Sequence, residues 1–106
     1  FLMNNFIGVG RLTADAELQK KDGKSIVRFN IAIYRTKEVT DFFPCIVFGE
    51  YGEKLYDFLK KGKMIGIMGQ VHNNQYEKDG EKRYYTSILV NRIELLEKKS
   101  ELENIE

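Results

Sequence analysis

At 106 residues, with 42% hydrophobic and 31% charged side chains, the chain has the size and composition of one domain around a single apolar core. Its apolar runs are too short to span a bilayer, and its single cysteine, Cys45, excludes an internal disulfide framework and a cysteine-rich zinc site. The net charge is only +1, and residues 1–97 carry 15 basic and 13 acidic side chains, so attraction for a polyanion has to come from local placement of charge.

Phe1 and Leu2 precede Met3 and read as additions ahead of a natural start. No basic start, apolar stretch and small-residue cleavage site follow, so the expected location is cytoplasmic. Asn5 to Leu12 (NFIGVGRL) alternates loosely and contains Gly8 and Gly10, which predicts a strand that bends or approaches another backbone closely. Ala16 to Lys20 extends it, and Lys21-Asp22-Gly23-Lys24 reads as a tight turn. Ser25 to Tyr34 is the clearest half-buried strand, with Val27, Phe29, Ile31 and Ile33 on one face and Ile26, Arg28, Asn30, Ala32 and Tyr34 on the other.

A short polar connection, Arg35 to Thr40, leads into Phe42-Phe43-Pro44-Cys45-Ile46-Val47-Phe48. Strand side chains alternate, so Phe42, Pro44, Ile46 and Phe48 share one face while Phe43, Cys45 and Val47 share the other. One apolar face lines a core; the second is either buried as well or is a platform on which unpaired bases stack.

Tyr51, Leu55, Phe58 and Leu59 then recur at helical spacing, and Lys60-Lys61-Gly62 supplies a basic end and a glycine stop, predicting a helix over 51–61. Met64 to Tyr76 returns to strand character, with Ile65, Ile67 and Val71 facing in and Met68, Gln70, His72, Asn74 and Tyr76 facing out. Asp79-Gly80 is a strong hairpin signal, and its partner strand runs from Lys82 to about Leu96. Tyr84 and Tyr85 fall on opposite faces, so one of them is expected inside; Tyr85 and Phe43 are assigned to packing. The domain is expected to cover 3–97, with a short charged tail over 98–106. Five strands with one short helix between the third and fourth predict an all-β chain, a five-stranded OB-fold barrel.

In order and spacing these segments resemble the bacterial-type single-stranded DNA-binding protein family. The resemblance runs from Asn4 to about Leu96 through Asn5–Leu12, Asp15-Ala16-Glu17-Leu18, Val27–Ala32, Asp41-Phe42, Val47-Phe48-Gly49, Phe58–Gly62, Gly69-Gln70-Val71 and Tyr84-Tyr85-Thr86. It implies base stacking at Phe42, where many members carry tryptophan, at Phe48 and at Tyr76. The family's other stacking aromatic falls at Lys37 here, with Tyr34 nearby on a different register. The Arg35–Thr40 connection is shorter than the family's long hairpin, and the family's acidic partner-recruiting C-terminal peptide has only a faint echo in Glu101, Glu103 and Asn104-Ile105-Glu106.

Arg11, Lys20, Arg28, Arg35, Lys37, Lys61, Lys63, Lys78, Lys82 and Arg83 are the candidate phosphate contacts, against the plainer reading of a solvated surface. His72 and Asn74 are candidate base or phosphate contacts. The resemblance implies sequence-independent binding and protection of single-stranded DNA in replication, recombination and repair, a homotetramer with a dimer as the alternative, nucleoid association, and replication or repair proteins as further partners. An accessory primosome-type or protein-docking OB module, and RNA as ligand, are the competing readings. No cofactor, metal site or catalytic residue is expected: no nucleophile–base pair is spaced for catalysis, and Gly8-Val9-Gly10 lacks the lysine and helix of a phosphate-binding loop.

Overall fold

The computed structural model describes residues 2–96; Phe1, Glu97 and the expected charged tail lie outside the described residues. Six strands, β1 (Phe6–Leu12), β2 (Glu17–Lys21), β3 (Lys24–Tyr34), β4 (Thr40–Phe48), β5 (Met64–Lys78) and β6 (Glu81–Leu95), are accompanied by one helix, α1 (Glu50–Leu55), which runs into a 3₁₀ turn at Tyr56–Phe58. The order β1-β5-β6-β4-β3 closes on itself because β1 also pairs with β3, through Arg11↔Ala32 and Leu12↔Ile31. Five strands therefore form a ring, and β2 extends the sheet beyond β3. The β4–β6 pair, Cys45↔Ile88 and Ile46↔Leu89, is parallel and the others are antiparallel.

The helix thus sits where the OB-fold reading puts it, between β4 and β5, and the strand count rises by one because the opening strand is broken. From Phe6 to Arg11 β1 pairs with β5, whereas β2 pairs only with β3. Between them the Thr13 N–H bonds to the Asn30 carbonyl and the Ala16 N–H to the Leu59 carbonyl. Gly10 stands where the strand comes closest to β3: a Cβ there would lie 2.5 Å from the Ala32 carbonyl oxygen.

Both aspartate–glycine turns form as expected. Asp22-Gly23 and Asp79-Gly80 each have two successive positive φ angles, the two-residue geometry that matches strand twist, and they close the ladders at Lys21↔Lys24 and Lys78↔Glu81. The core is the inward face of the ring, led by Leu12, Val27, Ile31, Val47, Ile65, Ile67 and Ile88, with Leu59 plugging it. A fully buried aliphatic of this kind contributes about 1.5–3 kcal/mol.

Three expectations are corrected. The helix is shorter than 51–61: regular winding ends at Leu55, the 3₁₀ turn at Phe58, and the Leu59 N–H closes on the Tyr56 carbonyl. The tighter winding leaves Phe58 exposed, while Gly52, not Tyr51, lies buried against Val47 and Val27. Val71 shares the inward face with its partner Ile88 but is 40% exposed, because it stands at the rim of the ring, where the β5–β6 hairpin begins to run out as an arm with no core beneath it. For the same reason neither Tyr84 nor Tyr85 is buried. An irregularity between Met68 and Gly69, where Met68 faces Arg92 and Gly69 faces Val90, precedes the last core pair, Val71↔Ile88, and the arm runs on from there. With the arm included the radius of gyration is 15.4 Å, above the roughly 13 Å of a compact domain this long. No helix among the described residues is long and apolar enough to cross a membrane.

Candidate nucleic-acid interface

The outward face of β4 answers the question its sequence raises. Cys45 and Val47 are buried and Phe43 packs on Phe6 at a ring distance of 5.3 Å, whereas Phe42 and Phe48 are 64% and 54% exposed. The second apolar face is open to solvent. Cross-strand pairing widens it, since Arg28 lies opposite Ile46, Asn30 opposite Pro44 and Ala32 opposite Phe42. Tyr34, 72% exposed, adjoins Phe42 on this face through its pairing with Thr40.

Between this face and the arm runs an open cleft of about 420 Å³. Phe48, Ile46, Pro44 and Arg28 line it from the sheet, and His72, Asn74, Tyr85, Ser87 and Leu89 line it from the arm. The arm's lining follows from its register, in which His72 faces Ser87 and Asn74 faces Tyr85. The Asn74 amide donates to the Ser87 hydroxyl at 2.7 Å, and the His72 ring nitrogen Nε2 lies 3.3 Å from Gln70 Oε1. Tyr76 continues the same face of the arm, its ring 5.9 Å from that of Tyr85. Apolar rings, polar side chains and an arginine thus share one groove, which suits a chain of flat bases on a charged backbone.

Not every predicted contact belongs to it. Lys20 lies on the opposite face of β2, where it pairs with Glu53 at 3.1 Å. Lys82 faces Glu77 on the far side of the arm. Arg11 donates to the Gly62 carbonyl at 2.9 Å. Arg28, within the cleft, donates to Gln19 at 2.7 Å, and Arg83, opposite Tyr76, pairs with Glu81 at 3.3 Å. Arg35 is held by Asp41, and this hydrogen bond and its charge raise the Arg35 pKa and, with the hydrogen bond leading, lower that of Asp41. Neither Lys61 nor Lys63 lines the cleft: the Lys61 backbone N–H bonds Asp15, and the Lys63 carbonyl accepts from the Leu12 N–H. Lys37 occupies the β3–β4 turn and Lys78 the tip of the arm. The acidic Asp15 and Glu17 also line the cleft, so its positive character is local.

Sequence reasoning missed Tyr85, which it assigned to packing. The signal was available: counting outward from the two-residue turn, Lys78 meets Glu81 and Asn74 meets Tyr85, on the face already assigned to His72 and Tyr76. Cys45 is buried, and desolvation pushes its thiol up to about 12, as befits a small core residue. Among the described residues no three His, Cys, Asp or Glu side chains gather as a metal would require.

The chain is 36% identical over 103 residues to a single-stranded DNA-binding protein of Clostridium tetani, covering 90% of this chain and 71% of that one. It is 33% identical over 114 residues to single-stranded DNA-binding protein 2 of Clostridium acetobutylicum, covering 98% and 86% respectively. Its fold matches that of a Plasmodium falciparum SSB solved in complex with ssDNA, with a TM-score of 0.81 at 19% identity over 92% of this chain and 97% of the other. A model of the single-strand binding protein family matches residues 3–96, and the chain belongs to that family.

Proposed function

We propose that the chain binds single-stranded DNA without sequence specificity and shields it during replication, recombination and repair. The observation that carries this reading is the exposed aromatic face of β4, with Phe42 and Phe48 outside a core that does not need them. Any base offers a ring face to stack on, so such a surface accepts every sequence. Phe42, Phe48, Tyr76 and Tyr34 are the proposed stacking residues. Arg28, Arg35, Lys37, Lys61, Lys63, Lys78 and Arg83 are the proposed phosphate contacts, with His72 and Asn74 on the cleft wall; Arg11, Lys20 and Lys82 are left to steer the polyanion from a distance. The role is binding, with no chemical step.

Assembly with further copies, as a tetramer or a dimer, is part of the proposal. Its support is the outer face of β1 and β5, where Ile7, Val9 and Met68 are exposed together, and the edge of β1 from Phe6 to Gly10, which pairs with β5 alone. Contacts with replication or repair proteins and a cytoplasmic, nucleoid-associated location belong to the same reading.

The test is a fluorescence-anisotropy titration with labelled oligo-dT at low and high salt, for the unaltered protein and for Phe42→Ala combined with Phe48→Ala. Tight binding that weakens steeply with salt, and that the folded double variant loses by at least about tenfold, is expected from two stacking contacts. No binding by folded protein at low salt overturns the reading in favour of a protein-docking module.

A further inference from the structure

Tyr85 is a large aromatic side chain that stands outside the core. It is 51% exposed, it stands on the cleft face of β6, and its hydroxyl has no hydrogen-bond partner among the described residues. Its neighbour across the arm, Tyr76, is 46% exposed. The two rings lie 5.9 Å apart at 58°. A base sandwiched between parallel rings needs about 7 Å, twice a van der Waals contact, so this pair is too close and too tilted to clamp one. It presents instead one continuous surface on which a base can lie.

Side-chain hydrogen bonds brace the ladder beneath that surface. Asn74, opposite Tyr85, donates to Ser87 Oγ at 2.7 Å and to the Tyr85 carbonyl at 3.5 Å, and Thr86 donates to Asn73 at 2.9 Å. Arg83, across the ladder from Tyr76, and Lys78 near the turn lie just beyond the rings, with Glu81 opposite Lys78 and paired with Arg83.

We propose that Tyr85, with Tyr76, forms a second base-stacking platform on the arm, which receives the bases of a single strand that leaves the sheet face through the cleft. The proposal rests on the single-strand binding reading and adds to it a residue and a path. Tyr84 supplies an internal control, being more exposed, at 65%, but on the opposite face of the arm.

The test compares the unaltered protein with Tyr85→Ala, Tyr85→Phe and Tyr84→Ala in anisotropy titrations with oligo-dT, each variant checked for folding by circular dichroism. Loss of one stacked base predicts about 5- to 150-fold weaker binding for Tyr85→Ala. Tyr85→Phe and Tyr84→Ala are expected to stay within about twofold. Irradiation of the unaltered protein with oligo-dT containing 5-iododeoxyuridine, followed by peptide mapping, is expected to place adducts on Tyr85 as well as Tyr76.

If Tyr85→Ala binds as tightly as the unaltered protein, the platform is overturned while single-strand binding stands. Weaker binding without any adduct at Tyr85 overturns it too, because the ring would then only be propping Tyr76. A change in sedimentation with no change in affinity overturns it in favour of a contact between copies. Absence of binding by the unaltered protein brings down the functional reading and the platform together.

Discussion

The guanidinium of Arg35 grips the carboxylate of Asp41 with two hydrogen bonds, Nε to Oδ2 at 2.9 Å and Nη2 to Oδ1 at 2.7 Å. The pair spans the turn between β3 and β4, which is closed beneath it by hydrogen bonds from the Arg35 and Thr36 N–H groups to the Val39 carbonyl. It also flanks Tyr34 and Phe42, so a cation proposed to meet phosphate is neutralised beside the rings proposed to meet bases. Asp41→Asn removes the negative charge and keeps an acceptor for the turn. Oligo-dT affinity at low salt is expected to rise about two- to fivefold, the worth of one exposed ion pair. The slope of log affinity against log salt should steepen by up to about 0.7, the increment for one more phosphate on a single strand. An unchanged slope would show that Arg35 stays with the turn.

Gly69, paired with buried Val90 inside the ring, leaves no room for a side chain: a Cβ there would lie 2.1 Å from the Leu89 carbonyl oxygen, which is backbone and can yield only if the strands part. Gly69→Ala is expected to destabilise the protein by about 1–3 kcal/mol or more. Gly66, three residues earlier, has nothing closer than 3.7 Å, and Gly66→Ala should be neutral or stabilising by up to about 1 kcal/mol. Urea unfolding midpoints of the two variants decide the matter, and equal midpoints would refute the clash.

Tyr51 fastens α1 to β6. Its hydroxyl accepts the Ile93 N–H at 2.8 Å and donates to the Ile93 carbonyl at 3.3 Å. Tyr51→Phe keeps the ring and strands a partly buried backbone donor, at an expected cost of about 1–3 kcal/mol. Thermal melts would measure it. A loss indistinguishable from zero would mean that water replaces the hydroxyl.

Glu53 accepts from Ser25 at 2.6 Å and pairs with Lys20 at 3.1 Å, and these contacts, the Ser25 hydrogen bond foremost, lower its pKa. A carboxylate depressed on folding adds stability above its unfolded pKa of about 4.3, and the gain fades as pH falls through the lower folded value. The melting temperature of Glu53→Gln should therefore fall short of the unaltered protein's at neutral pH and converge with it in acid. A gap that stays constant down to about pH 2 would rule out this linkage.

Strand alternation, the two aspartate–glycine turns and the position of the helix were all readable from residue pattern, because each depends on neighbours a few positions away. The open face of β4 was readable only as a choice between burial and function, since alternation says which side chains share a face but not what covers it. The burial of Val71 and the role of Tyr85 were misjudged for a common reason: the pattern assumes a core under every strand, and the chain itself does not mark where a hairpin outruns it. Lys20 shows the same limit for charge. Its partner Glu53 lies 33 positions along the chain, on the helix, and only the folded ring brings the two together.

The arm is a two-stranded ladder standing largely clear of the core, and such a ribbon is marginally stable by itself in water. Its order is therefore linked to whatever lies along it: a bound strand or a neighbouring copy that contacts the arm also holds its two halves in register. Backbone amides of the arm between His72 and Ser87 should exchange with solvent by local opening in the free protein, while those of Val27, Ile31 and Ile67 wait for global unfolding. Part of the free energy of gripping DNA then goes into holding the arm closed, so a substitution that stiffens the arm in advance should tighten binding without touching a single base.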